Sequence, residues 1–165
     1  MIKKIAMIMI LFSLKVYSIP VSIEGGYFNG TNERSYDGWY LESSFPVYNF
    51  SETFYFSLDP FIHFIDTDFD PGFMMSLKKE FPLDHRWNLL IFGGLGVMYM
   101  NTDDVSQHDN FNFKENIGVG LGYTLSETTE IILKGSVWHI SNGGITDHNS
   151  GINGNSVGVA LNRVF

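Results

Sequence analysis

The segment WHISNGG, Trp138–Gly144, brings together an imidazole at His139 and a hydroxyl at Ser141. A histidine beside a serine can take the hydroxyl proton and turn a weak nucleophile into one that attacks an acyl carbonyl. A separation of two residues suits that chemistry on a β-strand, where alternate side chains share a face and need no second element to meet. The plainer reading is a polar strand end running into Asn-Gly-Gly, which is ordinary turn chemistry.

Other reactive-looking stretches fit a specific chemistry less well. DTDFDPG, Asp66–Gly72, resembles the start of a calcium loop, but proline stands at its sixth position and leucine, not glutamate, at its twelfth. It reads as a solvated acidic outer loop, as do Asp103, Asp104, His108 and Asp109. His63 reads as a paired interior residue, and His85 and His148 as turn residues. No two histidines have the spacing of a zinc site, and no phosphate-cradling or dinucleotide fingerprint is present. Trp39, Trp87 and Trp138 read as packing or as an interfacial girdle.

The elements that must carry His139 and Ser141 announce themselves by alternation. From Phe111 to Leu125 the odd positions are Phe, Phe, Glu, Ile, Val, Leu, Tyr and Leu, whereas the even ones are Asn112, Lys114, Asn116, Gly118, Gly120, Gly122 and Thr124. Period two over that length predicts a strand with one apolar and one polar face. The same split predicts eight strands, near 20–28, 37–46, 53–64, 73–81, 87–100, 111–125, 129–141 and 155–165. Pro60 weakens the third, because proline removes a ladder donor. The polar faces carry Glu24, Glu42, Asp59, His63, Lys78, Glu80, Glu130 and Lys134. Charges of both signs are tolerated inside a small barrel when paired, and the apolar faces then point outward and need lipid.

The fold class expected is therefore all-β, an eight-stranded antiparallel transmembrane β-barrel. Short connections near 47–52, 82–86 and 126–128 alternate with longer ones at 29–36, 65–72, 101–110 and 142–154, the pattern of periplasmic turns and outer loops. Residues 1–18, with Lys3 and Lys4 before an apolar run from Ile5 to Leu14, read as a secretory signal, leaving 19–165 as one barrel domain. Cysteine is absent, so no disulfide supports the fold. The net charge of −8 argues against nucleic acid as a partner.

Parity places His139 and Ser141 on the lipid-facing side of the seventh strand, continuing Ile131, Leu133, Gly135 and Val137 toward its upper end. That is outer-leaflet depth, where lipopolysaccharide is displayed. The stretch HISNGGITDHNSGIN, His139–Asn153, resembles the signature of the lipid A 3-O-deacylase family (PagL type), roughly H-x-S-N-x-G followed by N-x-G and one further polar or acidic residue. The terminal Phe165 likewise resembles the aromatic last residue of outer-membrane barrels.

The resemblance implies a Gram-negative outer-membrane enzyme that hydrolyses the ester-linked acyl chain at position 3 of lipid A without a metal or other cofactor. It implies Ser141 as nucleophile and His139 as general base, with Asn142 and Asn149 shaping the oxyanion site or its loop. One position departs: Asn153 stands where the family has an acid. An amide can orient the histidine but supplies no charge to the imidazolium, and the corresponding change in a serine protease costs roughly 10⁴ in rate. A working Ser-His-Asn arrangement, a substitute acid at Asp147 and a decayed site all remain open at this point. The alternative function is a non-catalytic barrel serving adhesion, envelope integrity or host interaction; a soluble ligand carrier, which would have to turn its apolar face inward, fits less well.

Overall fold

The computed structural model describes residues 20–32, 36–101, 110–145 and 151–164. They form eight strands: β1 (Pro20–Gly30), β2 (Asp37–Ser51), β3 (Phe54–Ile65), β4 (Asp68–Pro82), β5 (Trp87–Tyr99), β6 (Phe111–Ser126), β7 (Thr129–Ser141) and β8 (Ile152–Val164). Each pairs antiparallel with its neighbours in sequence, and β1 pairs with β8, closing the sheet into a barrel without an edge. The expected all-β, eight-stranded barrel is the architecture found.

Alternation explains which side faces where. Along β6, Phe113, Ile117, Val119 and Leu121 point outward and exposed, while Asn112, Lys114, Gly118 and Gly120 point inward and buried. An exterior of this kind is stable only against hydrocarbon. Aromatic side chains mark both rims of the apolar band: Tyr27, Trp39, Phe69 and Phe111 at one, Tyr48, Phe50, Phe81 and Trp87 at the other.

The enclosed charges are compensated. Lys134 contacts both Glu24 and Glu42, and Lys78 bridges Asp59 at 3.2 Å while donating to Ser44 Oγ at 2.6 Å. His63 accepts from Lys114 Nζ at Nε2 (2.8 Å), so its Nδ1 carries the proton that faces Tyr36 Oη at 3.2 Å. Tyr36 in turn donates to Asp70 Oδ2 at 3.1 Å. The expectation that His63 is a paired interior residue is met.

Three strand boundaries differ from those expected by three residues or more. The segment 65–72 is not a long outer loop: β3 and β4 meet in a tight turn at Asp66 and Thr67, with Asp66 at φ 49°. Asp70, read as solvated, lies fully buried and also accepts from the backbone N–H of Asn101 at 2.7 Å. Partners inside the barrel thus hold this acidic stretch in the sheet. β2 continues to Ser51, with a register shift between Pro46 and Tyr48 that accommodates the proline. β8 begins at Ile152, three residues earlier than expected, which brings Asn153 into the wall. Pro60 does not interrupt β3; it faces outward opposite Phe73. The signal at 1–18, the loop residues Asp103, Asp104, His108, Asp109, Asp147, His148 and Asn149, and the terminal Phe165 lie outside the described residues.

Candidate active site

β7 has the bounds and parity that the alternation predicts. Trp138 and Ile140 turn inward at 4% and 0% exposure, and Val137 turns outward at 58%. His139 and Ser141 continue the outward row, each half-buried against its surroundings. Trp138 is seated by Gly154, directly opposite it on β8: a Cβ at Gly154 would fall 2.1 Å from the indole ring. The packed indole thereby fixes the part of β7 from which His139 projects.

His139 pairs in register with Asn153, and the two side chains meet at 2.8 Å between Nδ1 and Oδ1. An amide oxygen only accepts, so Nδ1 carries the proton and Nε2 keeps its lone pair. Asn153 is itself held from the first turn after β1. Its N–H donates to Asn32 Oδ1 at 2.6 Å, and its carbonyl accepts from Thr31 N–H at 2.7 Å and Thr31 Oγ1 at 3.1 Å. Asn32 Nδ2 also donates to the carbonyl of Gly151 at 2.9 Å. Nε2 has no hydrogen-bond partner among the described residues, and an imidazole oriented at one nitrogen and open at the other is the form that a general base requires.

Ser141 lies on the same face, opposite Phe113 of β6. Among the described residues no hydrogen bond joins Ser141 Oγ to the imidazole; the structure brings His139 and Asn153 together and leaves Ser141 beside them. Catalytic hydrogen bonds are commonly loose until substrate is bound, and a strand neighbour two residues away needs only a rotamer change to close the gap.

Asn142 points the other way. Its side chain is fully buried, and its Oδ1 accepts from Gly144 N–H at 2.9 Å, setting the turn in which Gly143 and Gly144 take φ of 67° and 77°. It shapes the loop beside Ser141 rather than projecting onto the outer wall. Asn149, the other expected positioning residue, lies outside the described residues.

Two residues not singled out from the sequence adjoin the site. Gly151 adopts φ 62° against the imidazole, where a Cβ would lie 2.7 Å from Cε1 and 3.4 Å from Nε2 of His139. Its signal was available, since a glycine two residues before Asn153 falls inside the quoted stretch, but only the fold shows what it touches. Glu115 of β6 is the other: it is the register partner of His139 on the side opposite Asn153.

Register lines up two circumferential rows on the outer wall. One runs Met75, Leu95, Glu115, His139, Asn153; the other runs Phe56, Leu77, Gly93, Ile117, Val137, Asn155. Together they line an open, mainly apolar groove of about 860 Å³ that ends at His139 and Asn153. No group of three or more metal-ligating side chains occurs among the described residues.

Comparison with known proteins bears on the whole chain. Residues 21–162 match the sequence model of the family described as lipid A 3-O-deacylase (PagL). The fold is similar to the crystal structure of the outer membrane enzyme PagL, with 17% identity and a TM-score of 0.62 over 84% of this chain and 97% of that one. It is similar to the crystal structure of Neisserial surface protein A, with 8% identity and the same TM-score of 0.62 over 90% and 98%. At such identities the likeness is one of fold. No curated protein matches the chain by sequence.

Proposed function

The chain belongs to the lipid A 3-O-deacylase family, and from that membership we propose that it is an outer-membrane esterase releasing the 3-O-linked acyl chain of lipid A. Export is directed by residues 1–18, and the barrel spans the outer membrane with its longer connections outside. His139 Nε2 takes the proton of Ser141, whose oxygen attacks the acyl carbonyl carbon. The tetrahedral intermediate collapses with cleavage of the ester C–O bond, and the departing sugar oxygen takes the proton from the imidazolium. Water then attacks the acyl-serine, His139 removing its proton and returning one to Ser141 as the fatty acid leaves. Amide donors of the turn that Asn142 organises, with Asn149, steady the oxyanion. Lipopolysaccharide is the substrate, and no metal or cofactor takes part.

The observation that carries this reading is the hydrogen bond from His139 Nδ1–H to Asn153, made on the lipid-facing wall at the end of an apolar groove, with Ser141 on the same face. An esterase whose substrate never leaves the bilayer must present its nucleophile sideways. The test is to incubate the purified barrel and its Ser141→Ala variant with lipopolysaccharide and follow the mass of lipid A. The wild type should release one acyl chain and the variant none. The same acyl pattern from both would leave the non-catalytic barrel as the function.

A further inference from the structure

A carboxylate on the apolar wall of a membrane barrel needs a reason, because a charge facing hydrocarbon destabilises the barrel increasingly with depth. Glu115 is such a residue. It is exposed and faces outward between Phe113 and Ile117, themselves 44% and 62% exposed. The other charged side chains on outward strand positions lie at strand ends among the described residues. Asp37 opens β2 and accepts from Tyr27 Oη, Lys79 near the foot of β4 donates to Thr53 Oγ1 at 2.8 Å, and Arg163 stands next to the end of β8. Glu115 stands four residues inside the start of β6 and makes no ion pair among the described residues.

Its place in the sheet supplies the reason. Glu115, His139 and Asn153 stand side by side on β6, β7 and β8, each directly paired with the next. Directly paired residues of antiparallel strands have Cβ atoms about 5 Å apart, within reach of a glutamate and an imidazole that share a face. Glu115 and His139 also line the same groove. The Nδ1 position is already taken by Asn153.

We propose that the acid's two duties in a catalytic triad are divided here between two strands: Asn153 of β8 orients His139 through Nδ1, and Glu115 of β6 supplies the negative charge that stabilises its imidazolium. This rests on the deacylase reading and answers the departure at Asn153, since a neutral amide fixes the ring but leaves the charge formed in the transition state uncompensated. A carboxylate beside the ring supplies that charge without displacing the amide or obstructing Nε2. The charged groups facing His139 from the described residues of β6 and β8 reduce to Glu115 alone, because β8 presents Asn153 and Asn155. Glu115 acts through His139 and is therefore a positioning residue that does not touch the substrate carbonyl.

The test uses the full barrel refolded in detergent micelles, with heat-modifiable electrophoretic mobility verifying that each variant is closed. Glu115→Gln should lower kcat by about 10- to 100-fold with KM unchanged, the size expected for one charge acting on the imidazolium. Adding Asn153→Asp to Glu115→Gln should restore activity, because the charge then returns at Nδ1, and Glu115→Asp should retain more activity than Glu115→Gln. A deacylating wild type whose kcat is unmoved by Glu115→Gln overturns the role of Glu115 alone. A wild type that releases no acyl chain overturns the deacylase reading and, with it, any catalytic use of Glu115.

Discussion

Lys134 and His139 belong to one strand and face opposite ways, and the sheet treats them differently. Lys134 points into the barrel, where Glu24 and Glu42 approach its ammonium and the Phe92 ring lies 4.5 Å from it. His139 points out and, among the described residues, has a single hydrogen bond, to a neutral amide. Inside, where water is scarce, a charge is tolerated only with partners, so the ionic centre is a structural device. Outside, an imidazole with an open nitrogen among the described residues adds little to the fold, and the proposed esterase gives its orientation by Asn153, Asn32 and Thr31 a use. The charged groups that the barrel encloses are partnered, whereas the base of the proposed reaction keeps one nitrogen without a partner among the described residues.

The sharpest way to break this contrast is to remove each group and ask what is lost. His139→Ala should lower lipid A deacylation by about 10³-fold or more, the range for losing a general base. Its urea-unfolding midpoint in lipid vesicles should stay at the wild-type value. A barrel destabilised by that change would make His139 a structural residue like those within. Lys134→Met should do the reverse: with both carboxylates left buried without their cation, stability should fall by roughly 3–5 kcal/mol. The fraction that remains closed should still deacylate, since Lys134 lies on the far side of the wall.

Gly151 sharpens the same point at smaller scale. A Cβ there would press on Cε1 of His139, and its φ of 62° suits glycine. Gly151→Ala should therefore displace the imidazole and reduce kcat by up to about 10²-fold, the cost of misplacing a reacting group by an ångström. Unfolding should shift by only about 1–2 kcal/mol, the strain of a left-handed alanine. Activity and stability falling in proportion would mean that the glycine serves the chain turn rather than the base.

How far the sequence foretold this depends on the strand. β7 matches its expected bounds residue for residue because its outward row of Ile131, Leu133, Gly135 and Val137 runs unbroken to the polar pair His139 and Ser141. β4 and β8 start earlier than expected because their first residues, DFDPG and INGNS, look like loop composition. Their polar side chains are partnered across the barrel or along its rim, as Asp70 is by Tyr36 and Asn153 by His139, and such pairing is invisible in one strand alone. The same limit hid Glu115. Its outward parity is plain in the alternation of β6, but the meaning of a charge in that row depends on the register with β7, which only closure of the sheet fixes.

The smallest effect expected comes from restoring the acid that the family pattern has at this position. Asn153→Asp puts a carboxylate at Nδ1 of His139 while the adjacent strand keeps Glu115. In a serine protease the step from acid to amide at the third position costs roughly 10⁴ in rate because the histidine takes the wrong tautomer, which acceptance by Asn153 Oδ1 avoids here. Here the charge is already in place, so kcat should rise by less than about 10-fold, with part of the gain offset by repulsion between two carboxylates flanking one ring. Single-turnover deacylation of lipopolysaccharide measures it without interference from product release. A gain of thousands would mean that the wild-type imidazolium stands uncompensated, and Glu115 would then be a charge on the wall with no part in the reaction.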